Sequence, residues 1–162
     1  MQLFIVRHGE ADLIAPSDSV RQLNENGTRE SVQVGQWIAQ QCKLFDYVLV
    51  SPYDRAFQTW QKMEQQGLVA NKLVQLTELE PEADVATCIN LIQGYCADAK
   101  SVLVVSHLPL VCHLVDGLVA ETCPLFVTGA AALIELNDNQ VNGHLKLLVS
   151  PEQAQQLTAL RA

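Results

Sequence analysis
The chain has 162 residues, the length of one domain with a substantial core, and its 49% hydrophobic and 17% charged content is that of a folded protein. A net charge of −8 argues against non-specific binding to nucleic acid or to acidic lipid, which depends on Lys and Arg neutralising phosphate. No apolar run approaches the ~18 residues of a membrane-spanning helix, and the opening MQLFIVRHGE lacks the basic-then-apolar order of a secretory leader, so a cytoplasmic protein is expected.

Leu3 to Val6 is a short apolar run ending in the charged group Arg7-His8-Gly9-Glu10, as expected of a buried strand that delivers residues to a site. Residues 11–23 lack periodicity and read as a loop. Val32, Val34, Trp37 and Ile38 predict an amphipathic helix from about Asn26 to Gln41, and Asp46 to Val50 a second strand. Ser51-Pro52 then reads as N-cap and first helical residue of a helix that runs to about Gln66 and stops at Gly67. Residues 72–76 form a short strand in this reading, followed by an acidic irregular stretch from Thr77 to Asp84. Val85 to Ala97 is helical in pattern, and Ser101 to Ser106 is a third buried strand ending at His107. Pro109 opens a helix through Val119. Strands near 131–136 and 144–149, joined by turn chemistry at Asn137-Asp138-Asn139, precede a short helix from Pro151.

Alternating strands and helices predict an α/β fold: a three-layer α/β/α sandwich with a mostly parallel central sheet, built as a single domain over residues 1–162. Cys42, Cys88, Cys96, Cys112 and Cys123 are an odd set without zinc-binding spacing and read as small buried hydrophobes. With no surplus apolar stripe, a monomer is expected.

In open α/β sheets, ligands bind at the carboxyl ends of the strands. Three such ends carry reactive side chains: Arg7 and His8, the segment Ser51 to Arg55, and His107. Taken singly, each has an ordinary structural explanation; together they point to phosphoryl transfer. Arginine's planar fork matches phosphate oxygens, and a histidine among cations is pushed toward neutral imidazole, which is a nucleophile. His8 is then the nucleophile, and His107 a donor to the phosphate oxygens. Arg55 sits in the first turn of a helix whose dipole also favours an anion. His113 and His144 need no role, and Gln58 and Thr59 read as packing or supporting residues.

Arg7-His8-Gly9-Glu10, Ser51-Pro52 with Arg55, Gln58 and Thr59, and Ser106-His107 resemble the histidine phosphatase (phosphoglycerate-mutase-like) superfamily. The short length, Ser17-Asp18-Ser19-Val20-Arg21, Leu76 to Asp84 and Leu108-Pro109 are similar to its SixA-type phosphohistidine phosphatases. That resemblance implies a phosphoglycerate-mutase-like fold without a helical lid, and a hydrolase that needs no metal and no cofactor. It makes His8 the phosphorylated nucleophile, and Arg7, Arg55 and His107 the phosphate pocket, with Arg21 assisting; where many relatives place Gly, Leu108 keeps a backbone N–H for the phosphate, whereas Pro109 has none. Glu78 and Asp18 are the candidates for a proton donor, each equally readable as a solvated loop carboxylate.

The expected substrate is a phosphorylated histidine-containing phosphotransfer protein, a sensor kinase or phosphotransferase component in a signalling phosphorelay. Two alternatives stand beside it: a small-molecule phosphomonoesterase using the same site, and a non-catalytic phosphate-dependent docking module. The second is disfavoured because the nucleophile and the arginines are both retained.

Overall fold
A computed structural model of the protein describes residues 1–119, 125–137 and 143–162. Six strands form one sheet in the order β3-β2-β4-β1-β5-β6. They are β1 (Gln2–Arg7), β2 (Leu44–Val50), β3 (Val69–Gln75), β4 (Ser101–Ser106), β5 (Ala131–Glu135) and β6 (His144–Val149). The first four in spatial order are parallel; β5 is antiparallel to β1, and β6 is antiparallel to β5. Helices α1 (Glu25–Gln41), α2 (Asp54–Glu64), α3 (Val85–Cys96), α4 (Leu110–Val119) and α5 (Pro151–Leu160) complete the fold.

The pleat divides the apolar strand residues between two cores. Leu3 and Ile5 of β1, with Val102 and Val104 of β4, pack under α3 and α4 among Cys88, Ile92, Leu114 and Leu118. Phe4 and Val6, with Leu103 and Val105, face α1, α2 and α5 among Trp37, Ile38, Trp60 and Ala154. Continuous apolar strands covered on both faces, rather than alternating ones, are what a three-layer sandwich requires. Asn24 caps α1 by accepting the Gly27 N–H over 2.8 Å, Asp84 caps α3 from Thr87, and Ser150 and Gln153 form a reciprocal capping box on α5.

Two departures from the sequence reading are informative. Helix α2 begins at Asp54, with Tyr53 in extended conformation as its N-cap residue, so Ser51 does not cap it. The Ser51 hydroxyl is committed elsewhere, to His107. Strand β3 begins three residues earlier than its apolar signal, because it is an edge strand whose side chains are largely exposed. The turn expected at residues 137–139 falls largely outside the described residues, as does Cys123; the other four cysteines are free. No helix among the described residues is long and apolar enough to cross a membrane.

Register sets the height of the reactive residues. Arg7 pairs with Ser106, and Val50 with Val105. Past the last pairs, the His8 N–H donates to the Ser106 carbonyl and the Ser51 N–H to that of Val105, both over 3.0 Å. The carboxyl ends of β1, β2 and β4 therefore present His8, Ser51 and His107 at one level of one edge.

Candidate active site
A cavity of about 470 Å³ opens at that edge, and Arg7, His8, Asp18, Arg21, Arg55, His107 and Leu108 all line it. Apart from Arg55 on α2 and Asp18 on a 3-10 turn (Asp18–Val20), its lining comes from strand ends and loops, including Leu13, Pro81 and Thr128. Glu78 is not part of it; that residue lies on a 3-10 turn (Thr77–Leu79) and accepts a bond from the Thr77 hydroxyl. Gln58 and Thr59 support the loops: Thr59 Oγ1 accepts the Gly9 N–H, and Gln58 accepts the Leu23 N–H. His113 and His144 are exposed and away from the cavity.

His8 is 8% exposed. Its Nδ1 lies 2.7 Å from the Gly9 carbonyl, an acceptor only, so Nδ1 carries the proton and Nε2 the lone pair. Arg55 Nε donates to that Nε2 over 3.2 Å. Burial is the largest influence on this ring and lowers its pKa to about 3; the Gly9 bond opposes it, and Arg55, Arg7 and Arg21 add to it. The sequence reading assigned neutrality to the cations; desolvation is the larger cause. His107, 1% exposed and with its ring 4.9 Å from that of His8, is lowered to about 2, again first by burial and then by His8 and Arg55. Both rings are neutral at physiological pH.

Arg7 donates from Nη1 to the Phe126 carbonyl over 2.8 Å, while its Nε is buried without a partner among the described residues. The Nδ1 of His107 is likewise buried and unpartnered. Buried polar atoms are nearly always satisfied, so two unpartnered nitrogens on residues that line one cavity mark where atoms of a ligand belong. Asp18 joins the other two arginines, through Oδ1 to Arg21 at 3.0 Å and Oδ2 to Arg55 at 3.1 Å. Burial acts to raise its pKa, yet the bonds from Arg21 and Arg55 outweigh it and hold the carboxyl below its ordinary range. Asp18 is thus a carboxylate that tethers arginines rather than a poised acid. Arg21 is held further by the Asp12 carbonyl at 2.7 Å.

Sequence reasoning passed over three supports. Glu30 of α1 accepts the Glu10 N–H and the Thr128 hydroxyl, tying together loops on either side of β1. The Phe126 carbonyl leaves no trace in sequence because it is backbone. Ser51 was legible as a strand-end residue four positions before Arg55, but a Ser-Pro pair announces a helix cap more loudly. Among the described residues, no group of three or more His, Cys, Asp or Glu is placed to hold a metal ion.

A strand-end histidine beside two arginines and a second buried histidine, on a mostly parallel sheet, defines a phosphate-handling α/β protein. The model of the histidine phosphatase superfamily (branch 1) matches residues 3–83, and the chain belongs to that superfamily. It is 42% identical over 153 residues to phosphohistidine phosphatase SixA of Escherichia coli (strain K12), covering 93% of this chain and 94% of that protein. A SixA homolog from Haemophilus influenzae is 35% identical over 133 residues, covering 77% of this chain and 81% of the homolog. The solved structure of the protein histidine phosphatase SixA complexed with tungstate superposes with a TM-score of 0.87 at 41% identity, covering 93% of this chain and 97% of that one.

Proposed function
We propose that this protein is a phosphatase that removes phosphate from phosphohistidine on another protein, through a covalent intermediate on His8. The observation that carries the reading is the pairing of a neutral His8, its Nε2 lone pair turned to Arg55, with two buried unpartnered nitrogens, Arg7 Nε and His107 Nδ1, on residues that line the same cavity. The similarity to SixA supports phosphohistidine as the substrate class.

In this reading a phosphoryl group enters among Arg7, Arg55, His107 and the Leu108 N–H, with Arg21 assisting. Its oxygens take up the free donors, and Arg55 turns from Nε2 to the phosphate. Nε2 attacks phosphorus as the N–P bond to the substrate histidine breaks, and the departing imidazole takes its proton from solvent. The Nδ1–H bond to Gly9 stabilises the charge that builds on the phosphorylated ring. Water then attacks phosphorus, the bond to His8 breaks with its electron pair returning to Nε2, and the phosphate leaves carrying the water's two protons. Asp18 holds the arginines throughout, and neither it nor Glu78 is needed as an acid, because imidazole leaves phosphorus more readily than an alkoxide.

The mouth of the cavity supports a protein as substrate. Leu13 at its rim and the neighbouring Ile14 are 89% and 91% exposed. A pair of bare aliphatic side chains beside a phosphate site suits contact with an apolar protein surface. The partner class is a histidine-containing phosphotransfer domain of a sensor kinase or phosphotransferase component, presenting its phosphohistidine on a helix. Incubating such a phosphorylated domain with the protein should release its phosphate, and His8→Ala should not. An intact phosphorylated domain alongside rapid hydrolysis of small phosphate esters would overturn the reading.

A further inference from the structure
The fully buried hydroxyl of Ser51 lies 2.7 Å from Nε2 of His107 and accepts the Tyr53 backbone N–H over 3.3 Å. A hydroxyl has a single proton to give and two lone pairs to offer. If Nε2–H donated to Ser51, the hydroxyl's own proton would have no acceptor among the described residues. Nδ1 would then present a bare lone pair in a cavity built for phosphate oxygens. Sending the Ser51 proton to Nε2 satisfies the hydroxyl and places the ring's one hydrogen on Nδ1, the buried atom that has no protein partner.

We propose that Ser51 is a positioning residue that fixes the tautomer of His107, so that its Nδ1–H is a ready donor to a phosphoryl oxygen. The inference rests on the reading of this cavity as a phosphate site. It gives the two histidines complementary roles from one tautomer. At His8 an acceptor on Nδ1 leaves Nε2 bare to attack; at His107 a donor on Nε2 leaves Nδ1 protonated to bind. A neutral imidazole has only one N–H, so without Ser51 the second ring would spend part of its time repelling the oxygens it should hold. Burial keeps that ring neutral.

Nitrogen-15 NMR of the histidine rings tests this directly, with inorganic phosphate as the probe. The wild type should show His107 as the Nδ1–H tautomer, its Nδ1–H signal moving on phosphate addition. Ser51→Ala should move His107 toward Nε2–H and weaken phosphate binding about tenfold, the order expected for one hydrogen bond to a charged group. Ser51→Thr should restore both, and Ser51→Ala should add no further loss in a His107→Ala background. An Nε2–H tautomer in the wild type would overturn the proposal, as would a folded Ser51→Ala that keeps Nδ1–H and full phosphate affinity. Should Ser51→Ala not fold, wild type and Ser51→Thr still decide the tautomer. Because the ring signals need no turnover, a protein with the expected tautomer and phosphate response but no activity on phosphohistidine would support the role of Ser51 and count against the proposed function alone.

Discussion
Arg55 donates from Nε to the Nε2 of His8 over 3.2 Å, so the resting site keeps a cation on the lone pair proposed to attack phosphorus. In the proposed reaction a phosphate draws that guanidinium away before His8 is free to attack, which couples arrival of substrate to activation of the nucleophile. Arg55→Lys keeps the charge but loses the fork that reaches His8 and Asp18 together. Its kcat/KM on a phosphorylated protein should fall about 10- to 100-fold, the range for losing a charge-assisted hydrogen bond. Steady-state kinetics beside a thermal melt separates this loss from unfolding.

Labelled substrate should leave phosphate on the wild-type chain after an alkaline, detergent quench, which preserves the acid-labile N–P bond. No label should remain on His8→Ala. A label of equal intensity on that variant would remove His8 from its proposed role.

The two buried histidines make stability depend on pH in a definite direction. Their folded pKa values, about 3 and about 2, lie below the 6.5 of an unfolded histidine. Between pH 6.5 and about 3 the unfolded chain therefore binds more protons than the native one, and acid favours unfolding. Stability should drop by about 1.4 kcal/mol per pH unit for each ring well below 6.5, and be unaffected by them above it. Urea titrations from pH 7.5 to 4.5 should show this slope, and His107→Gln should reduce it. Activity lost to protonation of these rings should appear only below about pH 4, since both stay neutral above it.

Ile14 tests the protein-substrate reading without touching the cavity, which it does not line. Ile14→Ser should lower kcat/KM on a phosphorylated phosphotransfer domain by about tenfold, the order of one lost apolar contact at an interface. Turnover of phosphoramidate should not change. Equal loss on both substrates would show that the loop serves the chemistry instead.

Gly9 and Gly27 meet backbone to backbone. A Cβ on Gly27 would fall 1.9 Å from the Glu10 carbonyl oxygen, and one on Gly9 would fall 2.4 Å from that of Gly27. Neither contact can be relieved by a side-chain rotation. Gly27→Ala should cost about 3 kcal/mol, at the upper end for overpacking, and displace the loop whose carbonyl orients His8. Chemical denaturation and the His8 ring signals report the two effects.

Helix and strand periods carried most of the fold, because the strands that build the site are apolar throughout and bounded by reactive residues. Ser101–Ser106 matches its sequence reading residue for residue. The edge strand β3 was harder to bound because only scattered side chains along it are partly buried. Arg7, His8, Arg55 and His107 were legible as strand-end and first-turn residues, and they do share one cavity. What pattern could not supply was who bonds to whom. The Phe126 carbonyl is contributed by a residue 119 positions from Arg7, and the change of Ser51 from helix cap to histidine partner depends on the register of β2 against β4.

That register also bears on how the protein is made. Strand β1 leads directly into His8, the proposed nucleophile, and precedes the other strands in sequence, yet both of its neighbours in the sheet, β4 and β5, come from residues 101–106 and 131–135. As the chain leaves the ribosome, His8 waits without its sheet neighbours while residues 9–100 are added. Non-local pairing of this kind slows folding and leaves an apolar strand uncovered in the interval. A chain released early would thus carry His8 and the arginines without the cavity that brings them together, and would be a substrate for chaperones or proteases before it was an enzyme.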